Sequence, residues 1–152
     1  MKLFFSLLIT LAVGAIAGMA TSASILNWYV HLNKPWFNPP NIIFGPVWTV
    51  LYILMGIALY LIWRLPVSAE RNRAMLLFFV QLVLNFAWSF IFFSLHQIGW
   101  ALVDIICLSI SIIATIYSFF SLSKKAGWLL LPYIVWVIFA TILNFSIWQL
   151  NK

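Results

Sequence analysis

Five stretches of this chain are each long and apolar enough to cross a bilayer, and nothing else in the sequence constrains the fold as strongly. A helix rising about 1.5 Å per residue needs about 20 residues to traverse about 30 Å of hydrocarbon. Residues 3–26, 42–63, 74–95, 98–122 and 127–149 reach that length almost without charge. In hydrocarbon a segment must satisfy its own backbone N–H and C=O groups, which leaves helices or closed barrels. The segments show no alternation of period two, which excludes a barrel. The expectation is an all-α membrane protein, a five-transmembrane-helix bundle forming one domain over residues 1–152. Composition agrees: 66% of residues are hydrophobic and 7% charged, against about 25% charged in soluble domains.

The interruptions are short: NWYVHLNKPWFNPPN, RLPVSAERNR, HQ and SKKAG. The HQ break is so tight that the third and fourth helices are expected to be antiparallel neighbours. The N-terminal MKLFFSLLITLAVGAIAGMATSAS resembles a signal peptide, but its apolar run exceeds the usual 7–15 residues and reads as a retained first helix.

Basic residues give an orientation. With five spans, Lys2, Arg64, Arg71, Arg73, Lys124 and Lys125 fall on one side, and Lys34 and Lys152 on the other. The positive-inside bias puts the N-terminus in the cytoplasm and the C-terminus outside, as in a bacterial cell membrane. The net charge of +6 is accounted for by this topology. It makes no nucleic-acid footprint, which needs Lys and Arg clustered on one face.

Polar and aromatic residues inside the spans are the candidate functional groups. Gln81, Asn85 and Ser89 recur every four residues beside Trp88. Trp136, Ala140, Asn144 and Trp148 share a face, as do Trp100 and Asp104. Trp48 and Tyr52 repeat the spacing in the second helix. Counted at about 1.5 Å per residue, Trp48 lies about 9 Å below the outer face. Asn85, Trp88, Asp104 and Asn144 also fall in the outer half, and Trp136 near the midplane. The longest loop, residues 27–41, lies on the same side, stiffened by Pro35, Pro39 and Pro40. These features converge on an aromatic, partly polar cavity under that loop, the usual make-up of a small-molecule site.

Plainer readings stand beside that one. Trp63, Trp128 and Trp148 read as interfacial belt residues. Trp48, Trp88 and Trp136 are too deep for a belt and serve either core packing or a pocket. Gln81, Asn85 and Asn144 are equally interhelical hydrogen-bonding glue or ligand contacts. Asp104 has Lys34 or His31 as possible partners. Gly14 and Gly18 permit close helix packing, within the bundle or between copies. The lone Cys107 excludes an intrachain disulfide, and no metal-ligand spacing occurs. No Ser-His-Asp set, paired carboxylates or phosphate loop can be assembled, which disfavours a hydrolase or phosphotransferase. The absence of inverted repeats and of a broken helix pair disfavours a standard secondary transporter.

WYVHLNKPWFNPP followed by FGPVWTVLYILMGIALYLIW, then QLVLNFAWSFIFF, GWALVDI and LPYIVWVIFATILN, resembles the TspO/translocator-protein family in content and order. The likeness runs from about Trp28 to Asn144. It implies a five-helix bundle, usually a homodimer, that binds tetrapyrroles such as protoporphyrin IX or other hydrophobic small molecules under the first loop. By motif position it implies Trp48, Asn85, Trp88, Trp100, Asp104, Trp136, Ala140 and Asn144 as ligand-lining residues. It also implies Trp48 and Trp136 as the residues that would support light-dependent porphyrin breakdown, with porphyrin as ligand or substrate and no resident cofactor. Two departures matter. Asn41 follows the Pro-Pro pair, where animal members often carry a polar ring. Tyr133 lacks the basic residue of the animal sterol motif, so weak or no specific sterol binding is expected. Three readings remain: a binding and sensory protein, a photo-oxidative porphyrin-degrading enzyme, and a porphyrin carrier.

Overall fold

The computed structural model describes residues 1–152. The elements are α1 (Lys2–Ile25), a 3-10 turn (Tyr29–His31), α2 (Asn41–Trp63), α3 (Ala69–Ser89), a π-helical turn (Phe90–Ser94), α4 (Ile98–Leu122), α5 (Lys124–Leu129) and α6 (Leu131–Leu150). They make five spans, with α5 and α6 in series as the fifth. The all-α five-helix architecture read from hydropathy is the one observed.

Two boundaries move, each for a local reason. The third span begins at Ala69 rather than 74. Ser68 Oγ accepts the Arg71 N–H at 3.1 Å, and Glu70 lies in the first turn, where a helix favours negative charge. Arg71 and Arg73 are therefore helical, not loop, residues. The fifth span begins at Lys124, where Ser123 Oγ accepts the Ala126 N–H at 3.4 Å. It breaks between Leu129 and Leu131 because Pro132, in the first turn of α6, has no N–H to continue the ladder. No broken helix pair is expected from the sequence, and a single span is interrupted. The corner from α4 to α5 is tight, and a Cβ at Gly127 would sit 2.5 Å from the Phe120 ring.

The C-terminal end of α3 is also irregular. Leu95 N–H donates to the Phe90 carbonyl, and Gln97 N–H to that of Ile91. The Phe93 carbonyl accepts from Ser24 Oγ of α1, so the widened turn docks the first span. The turn closes at His96 with φ 56°, a left-handed conformation that histidine tolerates better than branched residues. Its ring stacks on Trp28 at 4.1 Å.

Packing joins α3 to α4 and α1 to α2 most extensively, then α4 to α6. The first interface depends on the short HQ connection, as expected. The second depends on glycine. A Cβ at Gly14 would meet Tyr52 at 2.5 Å, and one at Gly56 would meet Leu7 and Thr10 at 2.8 Å. Gly18 touches nothing within 4 Å, so only the first glycine of the Gly14/Gly18 pair serves packing within the bundle. At the basic end, Lys2 Nζ donates to the Trp63 carbonyl at 3.2 Å.

A buried hydrogen-bond chain ties α2, α3 and α6 together near mid-bundle. Tyr52 Oη donates to Asn85 Oδ1. Asn85 Nδ2 donates to Tyr133 Oη at 2.7 Å, and Tyr133 Oη donates to Gln81 Oε1 at 2.7 Å. Gln81 Nε2 faces Met55 Sδ at 3.9 Å. The polar stripe of α3 is thus spent largely on helix association.

Candidate functional site: an aromatic cavity under the first loop

The loop between α1 and α2 is a fixed cover. Tyr29 is buried, and its hydroxyl donates to Asn38 Oδ1 at 2.7 Å. Burial pushes that hydroxyl up to about 12. Lys34 Nζ donates to the carbonyls of Leu32 at 2.8 Å and Tyr29 at 2.9 Å, so it does not pair with Asp104. The loop is pinned to the last helix from both sides. Asn33 N–H donates to Asn151 Oδ1 at 3.0 Å, and Asn151 Nδ2 donates to the Asn33 carbonyl at 2.8 Å. Phe37 meets Phe139 edge-on at 6.3 Å, whereas Trp36 is 95% exposed.

Beneath this cover lies a cavity walled by Trp48, Trp88 and Trp136, with Ala140 and Asn144 from α6. Five residues singled out by spacing therefore meet at one place. Trp48 and Trp88 face each other at 6.4 Å, inclined by 31°, and Phe44 meets Trp136 edge-on at 6.2 Å. Asn144 is polarised between two partners: its Oδ1 accepts from Trp88 Nε1 and its Nδ2 donates to the Ile98 carbonyl, each at 3.0 Å. Trp136 Nε1 is buried with no partner. A buried donor left unpaired costs about 1–3 kcal/mol, which a ligand acceptor would recover.

The aromatic cavity has a volume of about 20 Å³, room for about one water molecule. A larger cleft of about 380 Å³ adjoins it between α1 and α2 and shares Phe44, Trp48, Trp88 and Phe93 with it. Gly18 and Gly45 lie along this cleft, and a Cβ at either would touch nothing within 4 Å. The cleft is within the range of about 300–1,000 Å³ common to small-molecule sites.

Three residues expected in the lining lie elsewhere. Asn85 belongs to the Tyr52–Tyr133 chain and lines neither space. Trp100 is 68% exposed, and with Asp104 it lines a separate furrow between α3 and α4. The reason is rotational: α4 buries Ala101, Ile105, Leu108 and Ile112, leaving positions 100 and 104 on the adjoining flank. Asp104 Oδ2 is nevertheless buried without a partner. Conversely, Tyr29, Phe44, Phe92 and Phe93 line the cavity and were not singled out. Phe44 and Phe92 stand four residues from Trp48 and Trp88, so helical spacing could have found them. Nothing in the sequence marks Tyr29, which arrives through the loop.

Known proteins share the pattern. A sequence profile of the TspO/MBR family matches residues 6–149. The chain is 46% identical over 151 residues to the tryptophan-rich protein TspO of Archaeoglobus fulgidus, covering 99% of this chain and 97% of that protein. It is 41% identical over 129 residues to the human translocator protein, covering 83% and 76%. It is 36% identical over 140 residues to the tryptophan-rich sensory protein of Cereibacter sphaeroides, covering 90% and 87%.

Proposed function

The chain belongs to the TspO/MBR family, and from that premise we propose that this multi-pass membrane protein of the sensor and receptor type binds a tetrapyrrole, protoporphyrin IX or a close analogue. One observation carries the reading: the unpartnered indole N–H of Trp136 in the wall of an otherwise aromatic cavity. A planar ligand with peripheral carboxylates matches both features. Its faces stack on indoles, and a carboxylate accepts the orphan N–H.

The ligand reaches the site from the α1–α2 cleft. The loop above is pinned at Asn33 and Asn151, whereas the cleft already offers about 380 Å³. Rotation of Trp48 or Trp88 then merges the cleft with the smaller aromatic cavity. The protein works as a homodimer with its N-terminus in the cytoplasm of a bacterial cell, an orientation supported by the six cations at one end of the bundle.

A second reading, light-driven degradation of the porphyrin, is favoured by one feature: three indoles, those of Trp48, Trp88 and Trp136, wall a single cavity. An excited porphyrin supplies the photochemistry; the protein holds it against oxidisable rings. One titration tests both readings. Protoporphyrin IX is added to purified protein in detergent, with tryptophan fluorescence followed in the dark and then under light. Saturable quenching that weakens in the Trp48→Phe/Trp136→Phe double variant is the expected result. A new chromophore on illumination, formed more slowly by Trp136→Phe, assigns the enzyme; unchanged porphyrin assigns the receptor. Quenching that never saturates would overturn the tetrapyrrole site.

A further inference from the structure

The outer flank of the α3–α4 pair carries a furrow far from the aromatic cavity. It has a volume of about 560 Å³ and is bounded by Glu70, Arg73 and Leu77 of α3 and by Ile110, Ile113 and Tyr117 of α4. Its length has a physical meaning. From Ser121 to Ile110, both on its wall, α4 rises about 16 Å, half of a hydrocarbon core of about 30 Å. The furrow thus runs the depth of one leaflet. Its charged end lies at the basic end of the bundle, and its apolar end lies near the midplane.

The charges at the shallow end come as an opposed pair. Glu70 and Arg73 stand three residues apart on α3, and both are exposed. Glu70 belongs to the first turn of α3, where the helix terminus favours an acid; that alone would explain it on the helix, but not its place on the furrow wall. The cations around it are not neutralised within the chain. Lys2, Arg64, Arg71, Arg73, Lys124 and Lys125 share this end with a single acid, Glu70, and Arg71 is buried with Nε unpartnered. Tyr117, 81% exposed, adds a hydroxyl to the rim.

We infer that this furrow holds a phospholipid with a primary-ammonium headgroup, its phosphate on Arg73, its ammonium on Glu70 and one acyl chain along Leu77, Ile110 and Ile113. A purely anionic headgroup would satisfy Arg73 but meet the Glu70 carboxylate. A choline headgroup offers Glu70 a charge without a hydrogen-bond donor. The ethanolamine type satisfies both residues, and an ammonium N–H to carboxylate bond is shorter and stronger than a bare charge contact. The site is independent of the tetrapyrrole reading, since no residue is shared between the two.

The test is lipid retention on the full chain. Protein is reconstituted with equal amounts of phosphatidylethanolamine, phosphatidylcholine and phosphatidylglycerol of identical acyl chains, and co-purifying lipids are counted by native mass spectrometry. Phosphatidylethanolamine should be enriched over phosphatidylcholine by about fivefold, the scale of a partly screened ion pair. Arg73→Gln should lower retention of all three lipids, and Glu70→Gln should lose the enrichment over phosphatidylcholine and shift retention toward phosphatidylglycerol. Helicity by circular dichroism should stay constant in both variants. Equal retention of the three lipids, or a preference that survives both substitutions, would overturn the inference. So would a change in oligomeric state in Arg73→Gln with lipid retention unchanged, which would make the furrow a contact between copies.

Discussion

Trp88 Nε1 donates to Asn144 Oδ1 at 3.0 Å, and the same amide donates onward to the carbonyl of Ile98. One asparagine on α6 thus fixes the plane of an indole on α3 and anchors the N-terminal end of α4. Asn144→Ala frees both groups. In membranes such bonds average about 0.6 kcal/mol, so the fold should survive with a modest loss of stability. Trp88 should turn, and porphyrin affinity should fall by several-fold. Quenching titrations on wild type and variant check this; equal dissociation constants would remove Asn144 from the site.

Tyr133 should behave in the opposite way. Its hydroxyl accepts from Asn85 and donates to Gln81, yet it lines neither cavity nor cleft. Tyr133→Phe leaves a buried donor and a buried acceptor unpaired, for a loss of about 1 kcal/mol at the membrane average of about 0.6 per bond. Thermal unfolding in detergent should show a clear decrease in midpoint, while ligand affinity measured at low temperature stays close to wild type.

The two kinds of glycine on the first pair of helices should separate cleanly. Gly56→Ala drives a Cβ to 2.8 Å from Leu7 and Thr10 and 3.1 Å from the Leu7 backbone. Overpacking of this kind costs about 1–3 kcal/mol. Gly18→Ala meets open space and should leave the melting midpoint unchanged or raise it, because alanine is the better helix former. A larger residue, Gly18→Leu, narrows the cleft and should slow porphyrin association without destabilising the protein. An unchanged association rate would point to access through the loop instead.

The loop should loosen in alkali through Tyr29. Its hydroxyl is held up at about 12 in the folded chain, against an ordinary value of 10.0. The folded state therefore keeps its proton where the unfolded state loses it. The stabilisation is complete below pH 10 and falls as pH rises from 10 toward 12. Tyrosinate absorbance, as the difference between wild type and Tyr29→Phe, should show one group titrating near pH 12. A component at pH 10 would mean that Tyr29 is not buried in the native cover.

Much was decided by the sequence alone. Five apolar runs of bilayer length leave a helical bundle as the only way to satisfy so much backbone in hydrocarbon, and the HQ break puts α3 beside α4 whatever the rest does. Spacing of four along a helix places Trp136, Ala140 and Asn144 on one face before any partner is known. Tertiary structure decided what those faces meet. Asn85 and Trp88 sit three residues apart on α3, yet one binds tyrosines in the core and the other walls a cavity. Likewise, Trp100 and Asp104 share a face, but rotation of α4 about its axis sends that face to an outer furrow. Periodicity fixes relative angles within a helix, whereas the absolute rotation of each helix follows from contacts between helices. Here those contacts include Gly14 on Tyr52 and Gly56 on Leu7, close approaches between residues far apart in the chain.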